Sequence, residues 1–262
     1  MRVRHVVAVA LLLAAGTANA MPTGCQGTSA HREPASVIST TSTGIAFIGA
    51  SASDGFQLGD DVCLANTFGS RLLTGGYQSN NYADGNFFKL PEEDRGKLVD
   101  KAIASEPGVV VAADFLFWYV HCMSTGGKSR EEYFEGGLSQ LSRFMCPVLV
   151  GDIPDVKKAA EKTPLIRFVL PPPEFLQKAN KRLREWVRER NLTRPTLIIP
   201  LADAVAAQME ESPLRIGDRE YATTGLLQED RLHPTYEGQV MLCRLVQQTL
   251  VDGRLFRRSD FK

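Results

Sequence analysis

The stretch Ile45-Ala-Phe-Ile-Gly-Ala-Ser-Ala-Ser-Asp-Gly-Phe56 decides the fold class of this chain. Residues 45–48 form an apolar run of strand length, and Gly49 then breaks the run. Ser51 follows among small residues, as in a tight turn. In open α/β folds such turns lie at the carboxyl edge of a parallel sheet, where reactive groups are kept. The stretch therefore predicts a buried parallel strand that presents the Ser51 hydroxyl at the edge of a sheet.

The rest of the chain alternates apolar runs with amphipathic segments. Short continuous apolar runs predict buried strands, and apolar residues spaced three and four apart predict helices. The predicted strands are residues 45–49, 109–113, 147–151 and 196–200, and the predicted helices are residues 60–73, 91–106, 130–144, 174–190 and 234–250. Strands separated by helices indicate βαβ units. We therefore predict one α/β domain, a three-layer α/β/α sandwich with a mainly parallel sheet.

Three segments lack these patterns and are predicted to be irregular: residues 77–88, 156–172 and 201–229. The first of them is rich in Asn, Asp and Gly, which favour turns. Residues 115–119 form a dense aromatic cluster after the second predicted strand. The cluster fits either packing beneath the edge of the sheet or the lining of an apolar pocket.

The first 20 residues have the three regions of a secretory signal peptide. Arg2 and Arg4 precede an apolar core at residues 6–15, and Ala18-Asn-Ala20 matches an A-x-A cleavage site. The apolar core is too short for a stable membrane span. The sequence therefore predicts cleavage after Ala20 and a secreted or periplasmic protein without an integral membrane span.

The residues after the predicted cleavage site carry almost no net charge. The 262 residues include 30 basic and 30 acidic ones, and removal of residues 1–20 takes away two arginines, which leaves 28 basic residues against 30 acidic ones. This balance gives no support for a nucleic-acid partner, which would require a basic patch. Residues 21–43 are rich in Ser, Thr, Pro and Gly and are predicted to be a flexible N-terminal extension. Residues 44–262 are predicted to be the folded domain.

The chain has five cysteines: Cys25, Cys63, Cys122, Cys146 and Cys243. An exported protein can form disulfides, and an odd number leaves at least one thiol without an internal partner. The spacing contains no C-x-x-C, which favours one disulfide with buried thiols over a zinc site. Cys122 and Cys146 are predicted as the pair because each flanks a predicted core strand on the same side. No metal or cofactor is predicted.

Ser51 needs a base to act as a nucleophile, and the sequence offers a candidate. A serine hydroxyl reacts poorly unless a neighbouring group takes its proton, and histidine suits this task. His31 lies in the extension, and His121 follows the aromatic cluster, where a surface or structural role is expected. Asp230 precedes His233 by three residues and can orient its imidazole. We therefore predict Ser51 as nucleophile, His233 as general base and Asp230 as orienting acid.

With these residues the chain resembles the SGNH, or GDSL-type, hydrolases. Gly49-Ala-Ser51 with Gly55 is similar to the first block of that family, and Asp230-Arg-Leu-His-Pro234 is similar to its last block. The resemblance covers most of the chain after the signal peptide, because the order of strands and helices fits as well. It implies a flavodoxin-like fold and ester hydrolysis through an acyl-serine intermediate.

The part of the family pattern that stabilises the oxyanion differs here. The usual Gly-Asp-Ser reads Gly-Ala-Ser, and the third block, Gly-x-Asn-Asp, is replaced by a strand that runs into Asp114. Loss of one oxyanion donor costs an enzyme about 100- to 1000-fold. The resemblance implies as donors the backbone N–H groups of Ser51 and Gly85, together with a protonated Asp114. Asp114 can instead be a carboxylate that caps a helix or bonds loop amides.

Several functions remain compatible with these motifs. An α/β-hydrolase is set aside because its nucleophile elbow would lie in mid-chain, with acid and base far apart. The main prediction is an exported serine esterase that acts on a small-molecule or glycan acyl ester. One alternative is an O-acyltransferase or deacetylase on cell-envelope polysaccharide. Another is a non-catalytic binding module that kept the fold and lost the oxyanion hole. The sequence defines no oligomeric state.

Overall fold

The structure, a computed structural model, describes residues 44–59, 61–121 and 127–262. The predicted signal peptide and the N-terminal extension lie outside these residues. All the described residues belong to the unit Pro34–Lys262. No helix within the described ranges is long and apolar enough to cross a membrane.

The central sheet consists of the four predicted strands and one more. Its strands are β1 (Gly44–Phe47), β2 (Gln78–Asn81), β3 (Val109–Ala112), β4 (Val148–Gly151) and β5 (Thr196–Ile199). They run parallel in the order β2-β1-β3-β4-β5. The inner strands β1, β3 and β4 are almost wholly buried, because helices cover both of their faces. Their continuous apolar sequences are typical of such strands.

β2 lies in a segment that was predicted to be irregular, and that prediction was wrong. Its sequence, Gln-Ser-Asn-Asn, contains no apolar residue. β2 is an edge strand that pairs with β1, with Gly44 opposite Gln78 and Phe47 opposite Asn81. An edge strand half open to solvent needs no apolar run, so hydropathy did not reveal it.

Helices cover both faces of the sheet. They are α1 (Ser51–Asp54), α2 (Leu64–Arg71), α3 (Glu92–Ala104), α4 (Phe117–Val120), α5 (Arg130–Ser142), α6 (Pro164–Val169), α7 (Pro173–Asn191), α8 (Leu201–Glu210) and α9 (Tyr236–Asp252). Ala46 and Val110 pack with α3, α5 and α7 on one face. Phe47 and Val111 pack with α2, α8 and α9 on the other. Alternate strand residues thus face opposite helical layers, and the predicted α/β/α sandwich is confirmed.

Some elements differ from the predictions because they are short. α2 begins only at Leu64, where the Cys63 sulfur accepts the Asn66 N–H at 3.4 Å, so Asp61 precedes the first turn instead of lying in it. α6, α8 and a hairpin of β6 (Leu214–Ile216) and β7 (Arg219–Tyr221) fall in segments predicted to be irregular. Elements of three to ten residues give too few repeats for a periodic pattern to show.

The described cysteines are free thiols. Cys63 and Cys243 are buried, and Cys146 is half-buried. Burial raises the pKa of Cys146 to about 11, so its thiol keeps its proton at neutral pH. The predicted partner of Cys146, Cys122, lies outside the described residues.

Candidate active site

The turn after β1 places Ser51 at the start of α1, and two glycines fix its shape. Gly55 ends α1 in the left-handed region, with φ of 78°. Gly49 permits a close approach, because a Cβ there would overlap the Asp114 carboxylate and lie 2.6 Å from Ser53 Oγ. Glycine suits both positions because it lacks a Cβ, which allows the left-handed backbone at residue 55 and the close contact at residue 49. Residues 48–55 thus fold into a turn that holds Ser51 at the carboxyl edge of β1.

Ser51 and His233 meet at this edge of the sheet. Nε2 of His233 lies 2.9 Å from Oγ of Ser51, although the residues are 182 positions apart. Each is only 7% exposed, so little water surrounds the contact. The structure therefore brings the predicted nucleophile and base to hydrogen-bonding distance, as proton transfer requires.

Asp230 holds the other side of the imidazole. Its Oδ2 lies 2.6 Å from Nδ1 of His233, and its Oδ1 accepts the N–H groups of Leu232 and His233 at 2.9 and 3.0 Å. Burial tends to raise the pKa of Asp230, but hydrogen bonds from the His233 side chain and from these N–H groups lower it below its ordinary value. The carboxylate is thus ionised at neutral pH. A proton on Nδ1 directed at Asp230 leaves Nε2 able to accept the proton of Ser51.

Contacts from distant segments support this arrangement. The Phe56 ring stacks on the imidazole of His233, with centroids 4.2 Å apart. Gln228 Nε2 donates to the Phe56 carbonyl at 2.8 Å, and Thr163 Oγ1 donates to the Asp230 carbonyl at 3.0 Å. Sequence reasoning missed these three supporting residues because they share no motif or spacing.

Asp114 lies against the Ser51 turn as an acceptor. The N–H groups of Ala50, Ala52 and Ser53 donate to its carboxylate at 3.0, 2.9 and 3.2 Å, and Ser53 Oγ donates at 2.6 Å. The side chain is 6% exposed. Four donors directed at one buried carboxyl group make it an acceptor through both oxygens. The geometry matches the alternative expectation, a carboxylate that bonds loop amides, and Asp114 is not retained as an oxyanion donor.

The backbone N–H of Ser51 is left out of this set. It is the one amide of residues 50–53 that Asp114 does not accept. An oxyanion formed on an acylated serine lies close to the N–H of that serine, as in known oxyanion holes. Asp114 therefore does not occupy the Ser51 N–H, which is one of the predicted oxyanion donors.

Gly85 lies beside the Ser51 turn, but its N–H is already bonded. Asp84 N–H donates to the Gly49 carbonyl at 3.2 Å, so the loop after β2 runs along the turn. Gly85 N–H donates to Oδ2 of Asp54, the last residue of α1, at 2.9 Å. Sequence reasoning did not single out Asp54. Its spacing from Ser51, three residues along a helix, was the available signal.

An apolar cavity of about 70 Å³ opens beside Ser51 and His233. Its walls come mainly from α8, α9 and the aromatic cluster, and they include Phe117, Trp118, Val156, Leu201, Met241 and Leu245. Phe115 of the same cluster is buried in the core. The cluster thus serves both expected purposes, since some of its members line the cavity and others pack beneath the sheet.

A polar groove adjoins Asp230. It has a volume of about 900 Å³, and its lining consists of Gln57, Lys162, Gln228, Glu229, Asp230 and Arg231. Gln57 and Arg231 have φ values of 62° and 56°. Left-handed backbone at residues other than glycine is strained, and such strain often accompanies functional sites. The site therefore offers an apolar cavity beside Ser51 and a polar groove beside Asp230.

His121 has a different environment from His233. It is 1% exposed, its ring stacks on Phe117 at 4.1 Å, and Nδ1 lies 3.2 Å from the Phe117 carbonyl. Burial lowers its pKa to about 4, so it is neutral. This environment fits the structural role expected for it, while His31 lies outside the described residues. Across the described ranges, no group of three or more His, Cys, Asp or Glu side chains is placed to hold a metal ion.

Solved structures of ester-cleaving enzymes share this fold. A lipase/acylhydrolase from Enterococcus faecalis is similar with a TM-score of 0.55 over 84% of this chain and 97% of its own, at 18% identity. A psychrotrophic esterase from Pseudoalteromonas sp. is similar with a TM-score of 0.50 over 80% of this chain and 97% of its own, at 11% identity. No family model and no curated protein matches the chain. The chain therefore has the fold of the SGNH-type hydrolases, as the two sequence blocks implied.

Proposed function

We propose that the protein is a serine hydrolase that cleaves carboxylic esters through an acyl-serine intermediate. The observation that carries the proposal is the hydrogen-bonded chain from Ser51 through His233 to Asp230, with distances of 2.9 and 2.6 Å. Such a chain is recognised by geometry and roles on many folds. The shared fold with an esterase and a lipase/acylhydrolase supports the same class of reaction by analogy.

Each residue has one task in the proposed acylation step. Ser51 Oγ forms a bond to the carbonyl carbon of the ester while its proton passes to Nε2 of His233. The carbonyl oxygen becomes an oxyanion near the N–H of Ser51. Asp230 stabilises the imidazolium and holds its orientation. The oxyanion then re-forms the carbonyl, the C–O bond to the alcohol breaks, and His233 returns the proton to the leaving alcohol.

Deacylation repeats the sequence with water as the nucleophile. His233 takes a proton from water, the hydroxide oxygen bonds to the acyl carbon, and the Ser51 oxygen leaves with that proton. The products are a carboxylic acid and the regenerated serine.

The apolar cavity beside Ser51 and the polar groove beside Asp230 suggest how an ester would bind. The apolar cavity of about 70 Å³ fits a short acyl chain better than a long one. The groove next to Asp230 offers donors from Lys162 and Arg231 and an acceptor from Glu229. Such mixed polar groups suit an alcohol with several hydroxyls, so we propose a short-chain ester of a polar alcohol, including an O-acylated glycan. The predicted signal peptide extends the proposal to a secreted or periplasmic enzyme.

The proposal is tested by labelling and turnover in Ser51→Ala. The wild-type protein without residues 1–20 should react with a fluorophosphonate probe and hydrolyse p-nitrophenyl acetate. Ser51→Ala should lose the label and about 10⁴-fold or more of kcat, because the nucleophile is gone. Ser70→Ala is the matched control, since its exposed hydroxyl bonds the Asn66 carbonyl on α2; it should behave as wild type. Labelling that survives Ser51→Ala would contradict the proposal.

The same assay separates the alternative functions. An acyltransferase would be labelled at Ser51 and would turn over faster when a sugar alcohol is added as acceptor. A non-catalytic binding module would show neither label nor turnover. A methyl O-acetyl-glucoside, compared with p-nitrophenyl acetate, tests the polar alcohol: the expected result is a lower KM for the sugar ester.

A further inference from the structure

Asp54 brings a second carboxylate to the Ser51 turn. α1 begins with Ser51 and ends with Asp54, so the two residues are one helical turn apart. Oδ2 of Asp54 accepts the N–H of Gly85 at 2.9 Å, and Oδ1 accepts Nδ2 of Asn81 at 3.0 Å. The carboxylate therefore joins the turn that carries Ser51 to the loop that follows β2.

The bond between Asp54 and Gly85 occupies a donor that faces the turn. Asp84 N–H donates to the Gly49 carbonyl, which fixes the loop alongside the turn. An oxygen bound by Gly85 N–H would lie about 2.9 Å from that nitrogen, which is the place of Asp54 Oδ2. A Cβ added to Gly85 would lie 3.1 Å from the same oxygen, so the carboxylate is in close contact with this residue. A substrate oxygen that uses this donor must first replace the carboxylate.

We infer that Asp54 is an internal competitor for the Gly85 N–H, a carboxylate that occupies an oxyanion donor in the resting protein and leaves it when a substrate reacts. The inference rests on the proposed esterase function. Asp114 already accepts the amides on both sides of Ser51. Of the two backbone donors that the family resemblance implies, Ser51 N–H is not among the amides that Asp114 accepts, and Gly85 N–H is held by Asp54.

Displacement of the carboxylate has a defined energetic cost. As Ser51 Oγ bonds to the acyl carbon and its proton passes to His233, the carbonyl electron pair moves to oxygen. That oxygen gains the Gly85 hydrogen bond only when Oδ2 of Asp54 gives it up. Asn81 can keep Oδ1, so the carboxylate retains one partner. It also stays one helical turn from Ser51, and two negative charges at short range raise the energy of the transition state.

A purely structural Asp54 predicts the opposite result. If its two hydrogen bonds only hold the loop in place, their loss displaces Gly85 and lowers both activity and thermal stability. A competitor predicts that removal of the carboxylate increases activity. The sign of the change in kcat/KM therefore separates the two roles, and accidental damage does not produce an increase.

The central experiment compares Asp54→Ala with wild type on p-nitrophenyl acetate. One oxyanion donor contributes about 100- to 1000-fold to kcat in known enzymes, so partial recovery of this donor should raise kcat/KM by about tenfold or more. Asp54→Asn keeps the size of the side chain and an acceptor oxygen but removes the charge; it should show a smaller increase. Asp84→Ala is the matched control, because Asp84 Oδ1 accepts the Asn86 N–H in the same loop and leaves Gly85 alone. The control should show no increase.

Inhibition by phenylboronic acid gives a second measurement that needs no turnover. Ser51 Oγ bonds to boron, its proton passes to His233, and the tetrahedral adduct carries a negative charge beside the turn. Its inhibition constant should fall by about tenfold in Asp54→Ala, because the adduct uses the same donors. The inference would be overturned if folded Asp54 variants had a kcat/KM equal to or lower than that of wild type and an inhibition constant equal to or higher than that of wild type.

Failure of the inference and failure of the proposed function give different results. If wild type is neither labelled by fluorophosphonate nor active, the proposed function fails. The Asp54 variants are then judged by labelling: a gain of label at Ser51 supports the competitor, and its absence rejects it. If Asp54→Ala does not fold, the sign of the change in kcat/KM of Asp54→Asn decides between the two roles.

Discussion

The site has two halves, and they differ in what their hydrogen bonds connect. In the proton-transfer half, Ser51, His233 and Asp230 bond to one another in the order in which a proton would move. In the oxyanion half, the backbone donors around the turn bond to two carboxylates, Asp114 and Asp54. Proton transfer is thus fully arranged, while charge stabilisation competes with fixed negative charge. On the two proposals above, we therefore expect oxyanion stabilisation, and not activation of Ser51, to limit the reaction.

The two halves also depend on different amounts of chain. Asp230 and His233 lie within four residues, and the Asp230 carboxylate folds the segment between them by accepting its N–H groups. The oxyanion half requires the turn after β1, the loop after β2 and the end of β3 to approach together. A local motif can fix the pair of Asp230 and His233, whereas the contact of His233 with Ser51 and the whole oxyanion half require tertiary packing.

After the nucleophile itself, Asp230 is the residue whose substitution should weaken the proton-transfer half most, and Asp230→Asn tests it. An asparagine can donate its amide N–H to Nδ1 of His233, which places the imidazole proton on Nε2 and removes the base. We expect a loss of about 10³- to 10⁴-fold in kcat with little change in KM. Kinetics on p-nitrophenyl acetate measure the loss, and Asp218→Asn, an exposed residue between β6 and β7, is the control. A loss smaller than tenfold would mean that Asp230 does not orient the base.

The oxyanion half is tested by substitutions at Asp114. Asp114→Ala leaves four donors of the Ser51 turn without their acceptor, and buried donors that lose a partner cost about 1 to 3 kcal/mol each where water cannot reach them. We expect a loss of stability of about 2 to 4 kcal/mol and a loss of about 10- to 100-fold in kcat. Chemical denaturation and kinetics measure the two effects.

Asp114→Asn distinguishes a positioning carboxylate from an oxyanion donor. The amide NH₂ of asparagine would face N–H groups that need an acceptor, so the variant should be less stable and less active than wild type at neutral pH. Ser53→Ala is the matched comparison, because it removes only one of the four donors, the Oγ at 2.6 Å; its effect should be about 1 kcal/mol. An Asp114→Asn variant with activity equal to or above wild type would restore the donor role.

Prediction from the sequence succeeded where a local pattern determines the structure. The inner strands could be predicted because burial on both faces requires continuous apolar runs. His233 could be paired with Ser51 because Asp230 lies three residues before it and can orient its imidazole. The polar edge strand β2 gives no such signal. Hydropathy therefore predicted the inner strands of the sheet but not its edge strand β2.

The oxyanion half could not be predicted for a physical reason. The sequence shows that Asp114 follows β3, but whether its side chain donates or accepts depends on the groups that surround it, which only the folded turn determines. The bond from Gly85 to Asp54 depends on the path of a loop and on one side-chain rotamer. Neither the contacts of Asp114 nor the bond from Gly85 to Asp54 is indicated by residue spacing or composition in a single sequence.

The smallest predicted effect concerns the pH dependence of stability in the proton-transfer half. The pKa of Asp230 is lowered from an ordinary value of 3.8 by its hydrogen bonds to His233 and to backbone N–H groups, which outweigh the effect of burial. A depressed pKa means that the folded protein binds this proton less readily than the unfolded chain. The contribution of ionised Asp230 to the free energy of unfolding is therefore complete well above pH 3.8. It is lost as the pH falls through the pKa that Asp230 has in the folded protein.

Asp230→Asn should remove this dependence and flatten the acid limb of the stability curve. Because Asp230 is only about half-buried, solvent screening keeps the difference to about 1 kcal/mol or less between pH 5 and pH 3. Urea denaturation at intervals across that range measures it, and Asp218→Asn gives the change expected from an exposed carboxylate. Only the slopes are compared, since the asparagine also alters the absolute stability. Equal slopes for wild type and Asp230→Asn would show that the carboxylate gains nothing from His233 in the folded protein. The hydrogen bond between Asp230 and His233 would then not stabilise the folded protein.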